Sequence, residues 1–309
     1  MAFFTAFVQV AVLFILIVAG YVSRKIGVLD LSLTRGISRF IVTLTLPCLA
    51  ISSLQAELSR EKVTEAILVF CVMTGCYILY TVYVLLVPKI LAITDSRDAA
   101  IYRFFMFFSN TGFMGYPVVE AFFGKDALFY AVIFNIPYPL LTFSVGVGFM
   151  IFAGGRAGEK RAIPWKSPGI LAGLAGFALF LMPFRLPYVL AQPLEILGGL
   201  TSPLALIVTG SFLTQLRPAE LWKGWRVYVG TAFRLLVIPV TVYAIIRALG
   251  FSGYLLGVPV ILSAMPAAAN MSLLADQFGG NGELASRLVF LSTLFSVFTL
   301  PLFALLVRG

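Results

Sequence analysis

Two apolar segments, one in each half of the chain, are interrupted at their centres by residues that a helix in lipid avoids. The first reads Phe107-Phe108-Ser109-Asn110-Thr111-Gly112-Phe113-Met114-Gly115-Tyr116-Pro117 and the second Leu262-Ser263-Ala264-Met265-Pro266-Ala267-Ala268-Ala269-Asn270-Met271. Each lies within a stretch long enough to cross a bilayer. Proline lacks an N–H and clashes with the preceding turn. The Ser-Asn-Thr-Gly run favours local side-chain bonding and a flexible backbone. Irregular backbone survives at membrane depth only where protein or water satisfies its polar groups. Interrupted segments at matching positions of two halves are the sequence mark of a membrane transport site.

The setting is a bilayer because 61% of the 309 residues are hydrophobic and only 11% are charged, against about a quarter charged in soluble domains. The apolar runs have helical length and lack the alternation of an outer-membrane barrel. The formal net charge of +9 does not indicate a nucleic-acid partner, since the basic residues cluster in short gaps between apolar runs. Membrane lipid is the surrounding partner. His is absent, and Cys48, Cys71 and Cys76 fall inside apolar segments without CxxC spacing. Nothing here calls for a metal or a cofactor.

About 20 apolar residues span a bilayer, and ten segments qualify: Phe3–Val22, Ile37–Leu54, Val63–Val87, Ala99–Phe123, Ala127–Ala153, Pro168–Phe184, Pro193–Leu213, Val227–Ala248, Tyr254–Phe278 and Leu284–Val307. The fold class expected is an all-α integral membrane protein. Arg24 and Lys25 follow the first segment and no basic residue precedes it, the reverse of a secretory signal. Fifteen Lys and Arg residues fall in or beside the odd-numbered gaps, and six in the even gaps and at the termini. The positive-inside rule then puts the odd gaps in the cytoplasm and both termini outside, in a cell (inner) membrane.

The longest gap divides the chain into an N-terminal unit of five segments (1–154), a cytoplasmic loop (155–167) and a C-terminal unit of five segments (168–309). An odd number per unit requires the two to be inverted. Weak similarities hold one offset of 156: Thr45-Leu46-Pro47 with Thr201-Ser202-Pro203, Asn110 with Pro266, Gly124 with Gly280 and Leu128 with Leu284. An inverted repeat is the expectation.

An unwound point frees N–H groups on the half-helix that follows, and their partial positive charge suits an anion. The candidate binding residues are Asn110, Thr111, Gly112, Pro266, Ala267, Ala268 and Asn270. Asn135 joins them because Pro137 and Pro139 kink its segment close by. Arg234, about two turns into segment 8, costs about 2.5–3.5 kcal/mol at mid-helix on insertion scales. It faces a cavity or an anion, or it snorkels to the interface; both readings stand. Asp276 is the candidate for ion coupling. Glu195 reads as a first-turn cap beside Pro193, with Pro47 and Pro203 early in segments 2 and 7. Gly169 and Gly173 form a GxxxG face that permits close packing.

At these residues the chain resembles the auxin efflux carrier family. The resemblance rests on Asn110-Thr111-Gly112-Phe113-Met114-Gly115-Tyr116-Pro117, on Arg234-Leu235-Leu236-Val237-Ile238-Pro239, and on Met265-Pro266-Ala267-Ala268-Ala269-Asn270 with Ala275 and Phe278. Ser292-Thr293-Leu294-Phe295 and Pro301 extend it. The resemblance implies ten helices in two inverted repeats, with helices 4 and 9 crossing near the midplane. Helices 1, 2, 6 and 7 would form a scaffold that pairs as a homodimer. Helices 3–5 and 8–10 would form a transport domain that moves as an elevator. It implies secondary transport of small organic anions, auxin-like or dicarboxylate, with Asn110 as the substrate-binding Asn and H+ or Na+ as coupling ion. Segment 3 carries no Asp or Lys, so the charged support site of the plant carriers is missing. The short central loop looks bacterial or archaeal.

Two other readings remain open: a sodium-coupled symporter like the bile-acid carriers, and a membrane receptor that binds an organic anion. An intramembrane enzyme would need a deep nucleophile with its base, a metal cluster or a carboxylate pair, and the sequence offers none.

Overall fold

The computed structural model describes residues 2–54, 60–153, 178, 186–214, 224–268 and 271–308. All regular structure among these residues is helical. In chain order the helices are α1 (Ala2–Lys25), α2 (Leu31–Phe40), α3 (Leu46–Ser53), α4 (Arg60–Ile90), α5 (Ser96–Phe107), α6 (Tyr116–Phe123), α7 (Ala127–Asn135), α8 (Tyr138–Leu141) and α9 (Val147–Ala153). After the central stretch come α10 (Tyr188–Gly199), α11 (Thr201–Leu213), α12 (Trp225–Ala232), α13 (Ile238–Ala248), α14 (Gly253–Ser263), α15 (Met271–Phe278) and α16 (Gly282–Arg308). Among the described residues, π-helical turns join neighbouring pieces at Ile41–Thr45, Thr111–Gly115, Thr142–Gly146 and Phe233–Val237.

Nine of the ten apolar segments coincide with these helices. The sixth, apart from Ala178, lies outside the described residues with its GxxxG face and the preceding loop. Among the described residues, five helical stretches are long and apolar enough to cross a membrane: Leu31–Ser53, Arg60–Ile90, Tyr188–Leu213, Trp225–Ala248 and Gly282–Val307. Their outer surfaces are apolar, with Ile67, Phe70, Ile78, Val82 and Leu85 all exposed on α4. So continuous an apolar exterior suits lipid and not water.

Caps at the connections set where helices begin. Asp95 Oδ1 accepts from the N–H groups of Arg97 and Asp98 at 2.8 and 3.0 Å, opening α5. Asn281 Oδ1 accepts from Leu284 N–H at 3.0 Å, opening α16. Such side-chain acceptors satisfy the orphan donors of a first turn.

Two expectations need correction. Glu195 does not cap a helix, because α10 begins at Tyr188 and carries Pro193 in its interior. Pro47 is not early in its membrane helix, which starts at Leu31. It stands just after the Ile41–Thr45 π turn, where the regular ladder is already shifted and a missing N–H costs less.

Glycine fixes the tightest helix contacts. A Cβ on Gly210 of α11 would stand 1.8 Å from the Ile17 carbonyl oxygen of α1, and one on Gly20 would stand 2.0 Å from that of Ile207. A Cβ on Gly198 of α10 would lie 2.9 Å from the Leu49 backbone in α3. These helices pack backbone to backbone, as small residues allow in membranes. Overpacking costs about 1–3 kcal/mol even where side chains can yield, and backbone yields less. Gly210→Ala should therefore lower the thermal unfolding midpoint in detergent by at least that equivalent. Gly36→Ala, where a Cβ meets nothing within 4 Å, should not; equal midpoints for the two variants would refute the contact.

Candidate functional site

The two interruptions meet. α5 ends at Phe107, and Phe108 is extended with φ −110° and ψ 111°. α14 ends at Ser263. Ser109 and Ala267 then form an antiparallel bridge, and Asn110 N–H donates to the Pro266 carbonyl at 2.8 Å. Each break thus satisfies part of the other's backbone, which low-dielectric surroundings demand.

Neighbouring side chains complete the crossing. Ser109 Oγ donates to Leu262 O at 3.1 Å, and Tyr138 Oη donates to Ser109 O at 2.8 Å. Ala267 N–H donates to Ser292 Oγ at 3.1 Å. Asn110 Oδ1 accepts from Phe113 N–H at 3.2 Å and so caps the turn that leads into α6. A Cβ on Gly115 would stand 2.7 Å from Leu262 Cδ2, so a larger residue there would separate the two broken helices.

Arg234 is the largest fully buried side chain, with 0% exposure. Its Nε donates to Met265 O at 3.3 Å and its Nη1 to Met106 O at 3.0 Å. Met106 lies in the last turn of α5, and Met265 lies two residues past the end of α14. The cation therefore sits where two helices end and their carbonyls carry partial negative charge. Its guanidinium also lies 5.9 Å from the Tyr80 ring centroid, within cation–π range. The Arg234 side chain is thus buried against the crossing.

Several polar atoms here have no hydrogen-bond partner. They are Asn110 Nδ2, Thr111 Oγ1, Asn135 Oδ1 and Arg234 Nη2. Asn110, Thr111 and Asn135 are 4%, 3% and 7% exposed. Asn135 is the last residue of α7, which packs on the Thr111–Gly115 turn. Buried polar atoms are rarely left unpaired, and these four cluster beside one break. Together they offer an amide donor, a hydroxyl and an amide acceptor.

The other candidates divide. Pro266, Ala267 and Ala268 are buried in the crossing. Gly112 is only partly buried and faces α3, where Leu46 Cδ1 would lie 3.9 Å from its Cβ. Asn270 lies outside the described residues, and Asp276 falls within α15. Tyr138 and Ser292 are contributors that the site reading missed. A hydroxyl between two prolines, and a Ser-Thr pair inside an apolar helix, were the signals available.

A cavity of about 630 Å³ opens at the face that carries the α6–α7 connection. Ser53, Lys62, Glu120, Lys125, Glu195 and Tyr254 are among its lining residues. It lies between α3 and α10 on one side and α6, α7 and α14 on the other. Lys125 Nζ meets Glu195 Oε1 across it at 2.9 Å, and that hydrogen bond holds the ammonium above the usual lysine range. Both side chains are largely exposed, so the pair contributes little to stability.

Two mutually bonded helix breaks in a helical membrane protein point to a membrane transporter. The chain belongs to the auxin-efflux-carrier-like membrane transport protein family, whose model matches residues 5–164 and 161–304. It is similar to an "uncharacterized transporter" of Methanocaldococcus jannaschii, 24% identical over 95% of this chain and 96% of that protein. An "uncharacterized transporter" of Methanothermobacter thermautotrophicus is 28% identical over 94% of each chain. A protein of Rhizobium meliloti named "Putative malonate transporter" is 26% identical over 88% of this chain and 87% of its own length.

The role of Arg234 has a direct test. Charged hydrogen bonds contribute about 1.5–3 kcal/mol each, so Arg234→Met should lower the unfolding midpoint substantially by orphaning two carbonyls. Arg234→Lys, which keeps the charge without the fork, should recover part of the loss. Wild-type stability in Arg234→Met would refute the bridging role.

Proposed function

We propose that the protein is a secondary active transporter of small organic anions, carboxylates of auxin-like or dicarboxylate type, working by elevator-type alternating access. The observation that carries this reading is the set of unpartnered atoms on Asn110, Thr111 and Asn135 beside the crossing. In this reading Asn110 Nδ2 and the Thr111 hydroxyl donate to a carboxylate, while the half-helices that follow each break aim their positive ends at it. Gly112, Pro266, Ala267, Ala268 and Asn270 shape the pocket. Arg234 acts as a positioning residue that holds both breaks, and its charge adds to the field on the anion. The name of the Rhizobium relative supports a dicarboxylate.

Ten spans in two inverted repeats complete the proposal. Two pairs at the offset of 156 touch each other: Thr201 Oγ1 donates to Thr45 Oγ1 at 3.0 Å, and Asn110 N–H bonds Pro266 O. Residues that contact their own counterparts lie near a two-fold axis, as an inverted repeat requires. The elevator reading draws support from the cavity between α3 and α10, in the proposed scaffold, and α6, α7 and α14, in the proposed transport domain. The scaffold would pair two copies, and H+ or Na+ would couple the movement with Asp276 as the candidate residue.

Proteoliposomes test this. Labelled malonate should accumulate saturably, and Asn110→Ala should reduce its affinity about tenfold to a hundredfold, the value of one hydrogen bond to a charged group. Imposed pH, sodium and potential gradients identify the coupling. Unchanged uptake by Asn110→Ala would exclude the crossing as the site, and ligand binding without uptake would favour a receptor.

A further inference from the structure

A second group of buried polar atoms, away from the crossing, takes no part in the mechanism above. It lies where α5, α12 and α16 pack together, at the end of the molecule that carries the α4–α5 and α15–α16 connections. Arg287, in the second turn of α16, has buried Nε and Nη2 atoms without hydrogen-bond partners. Tyr102 of α5 is 2% exposed, and its Oη also lacks a partner. The Tyr102 ring lies against Gly230 of α12, where a Cβ would stand 2.6 Å from Cε1. The adjacent Thr231 hydroxyl is unpartnered as well.

Both signs of charge occur at this end, with Arg97, Arg226 and Arg287 set among Asp95, Asp98 and Glu283. Arg287, Arg226 and Asp98 all lie within electrostatic reach of Tyr102. Asp98 is already engaged, since Asn281 Nδ2 donates to its Oδ1 at 2.7 Å. Arg226 is engaged too, with Nη2 donating to Ala92 O at 3.0 Å. Arg287 is the cation whose best edge is empty. Nε and Nη2 form the side of the guanidinium that presents two parallel N–H groups, the fork that fits a carboxylate or phosphate bidentately. Leaving both buried and unpaired is costly, so the edge is shaped for an oxyanion.

Position favours phosphate. Steps of seven and four residues place Arg287 on the helix face of Leu294 and Phe298, which are 38% and 62% exposed and face lipid. Arg287 is five residues past the start of α16 at Gly282, a rise of about 7 Å, so it stands near one end of a helix long enough to span a bilayer, where a lipid headgroup would lie.

We propose that Arg287, with Tyr102 beside it, holds an anionic phosphate group at the α5–α12–α16 junction, carried by a membrane lipid headgroup or by free phosphate. This site is independent of the transport reading, and its test does not require transport.

The purified protein in neutral detergent is titrated with phosphatidylglycerol, phosphatidylcholine or inorganic phosphate while its unfolding midpoint is followed. Phosphatidylglycerol should raise the midpoint and phosphatidylcholine should not. Arg287→Lys, which keeps the charge and loses the two-pronged edge, should weaken the effect about tenfold or more in ligand concentration. Tyr102→Phe, which removes only the hydroxyl, should weaken it less and guards against a misfolded arginine variant. Stabilisation by inorganic phosphate that Arg287→Lys weakens would identify the free anion as the source, and stabilisation by phosphatidylglycerol alone would identify the lipid. No stabilisation by either, or equal stabilisation of wild type and both variants, would overturn the proposal.

Discussion

The structure depends on how two broken helices satisfy their backbone polar groups without water. A helix that stops in mid-protein leaves carbonyls on one side of the break and N–H groups on the other. Arg234 resolves the carbonyl side for both breaks at once, through Met106 and Met265. The antiparallel contact between Ser109 and Ala267, with the bond from Asn110 to Pro266, resolves part of the N–H side. Burying an arginine is expensive in isolation. Here two negative helix ends and the face of Tyr80 surround it, so the cation and the breaks stabilise each other.

The same arrangement leaves a remainder. After the breaks have bonded one another, Asn110 Nδ2 and Thr111 Oγ1 still lack partners. Arg234 bonds one carbonyl at each break. Structural satisfaction on one side and open donors on the other are what the proposed anion site draws on. Around it, glycine contacts lock α1 to α11 and α3 to α10, while exposed Lys125 and Glu195 face each other across the open cavity.

Much of this was legible in the residues. The interruptions at Asn110 and Pro266 were visible because Gly, Pro and Asn are conspicuous in apolar helices. Their common offset led to a pair of residues that form a hydrogen bond, and the same offset led to the bond between Thr45 and Thr201. Glu195 was misread because a Pro–Glu pair resembles a helix start, whereas α10 runs through Pro193. The contributions of Tyr138 and Ser292 to the crossing were hidden, since a hydroxyl in an apolar helix most often bonds its own preceding turn.

The sequence by itself determined the membrane setting, the helical class and the two points where helices must break, because each follows from local composition and the chemistry of single residues. Tertiary structure alone decided what those breaks touch. Arg234 shows the difference: its side chain is long enough to reach an interface or a buried carbonyl, and nothing in its own segment chooses between them. Carbonyls from Met106 and Met265, 128 and 31 residues away, made burial the lower-energy outcome, and only the packed fold brings them to one place.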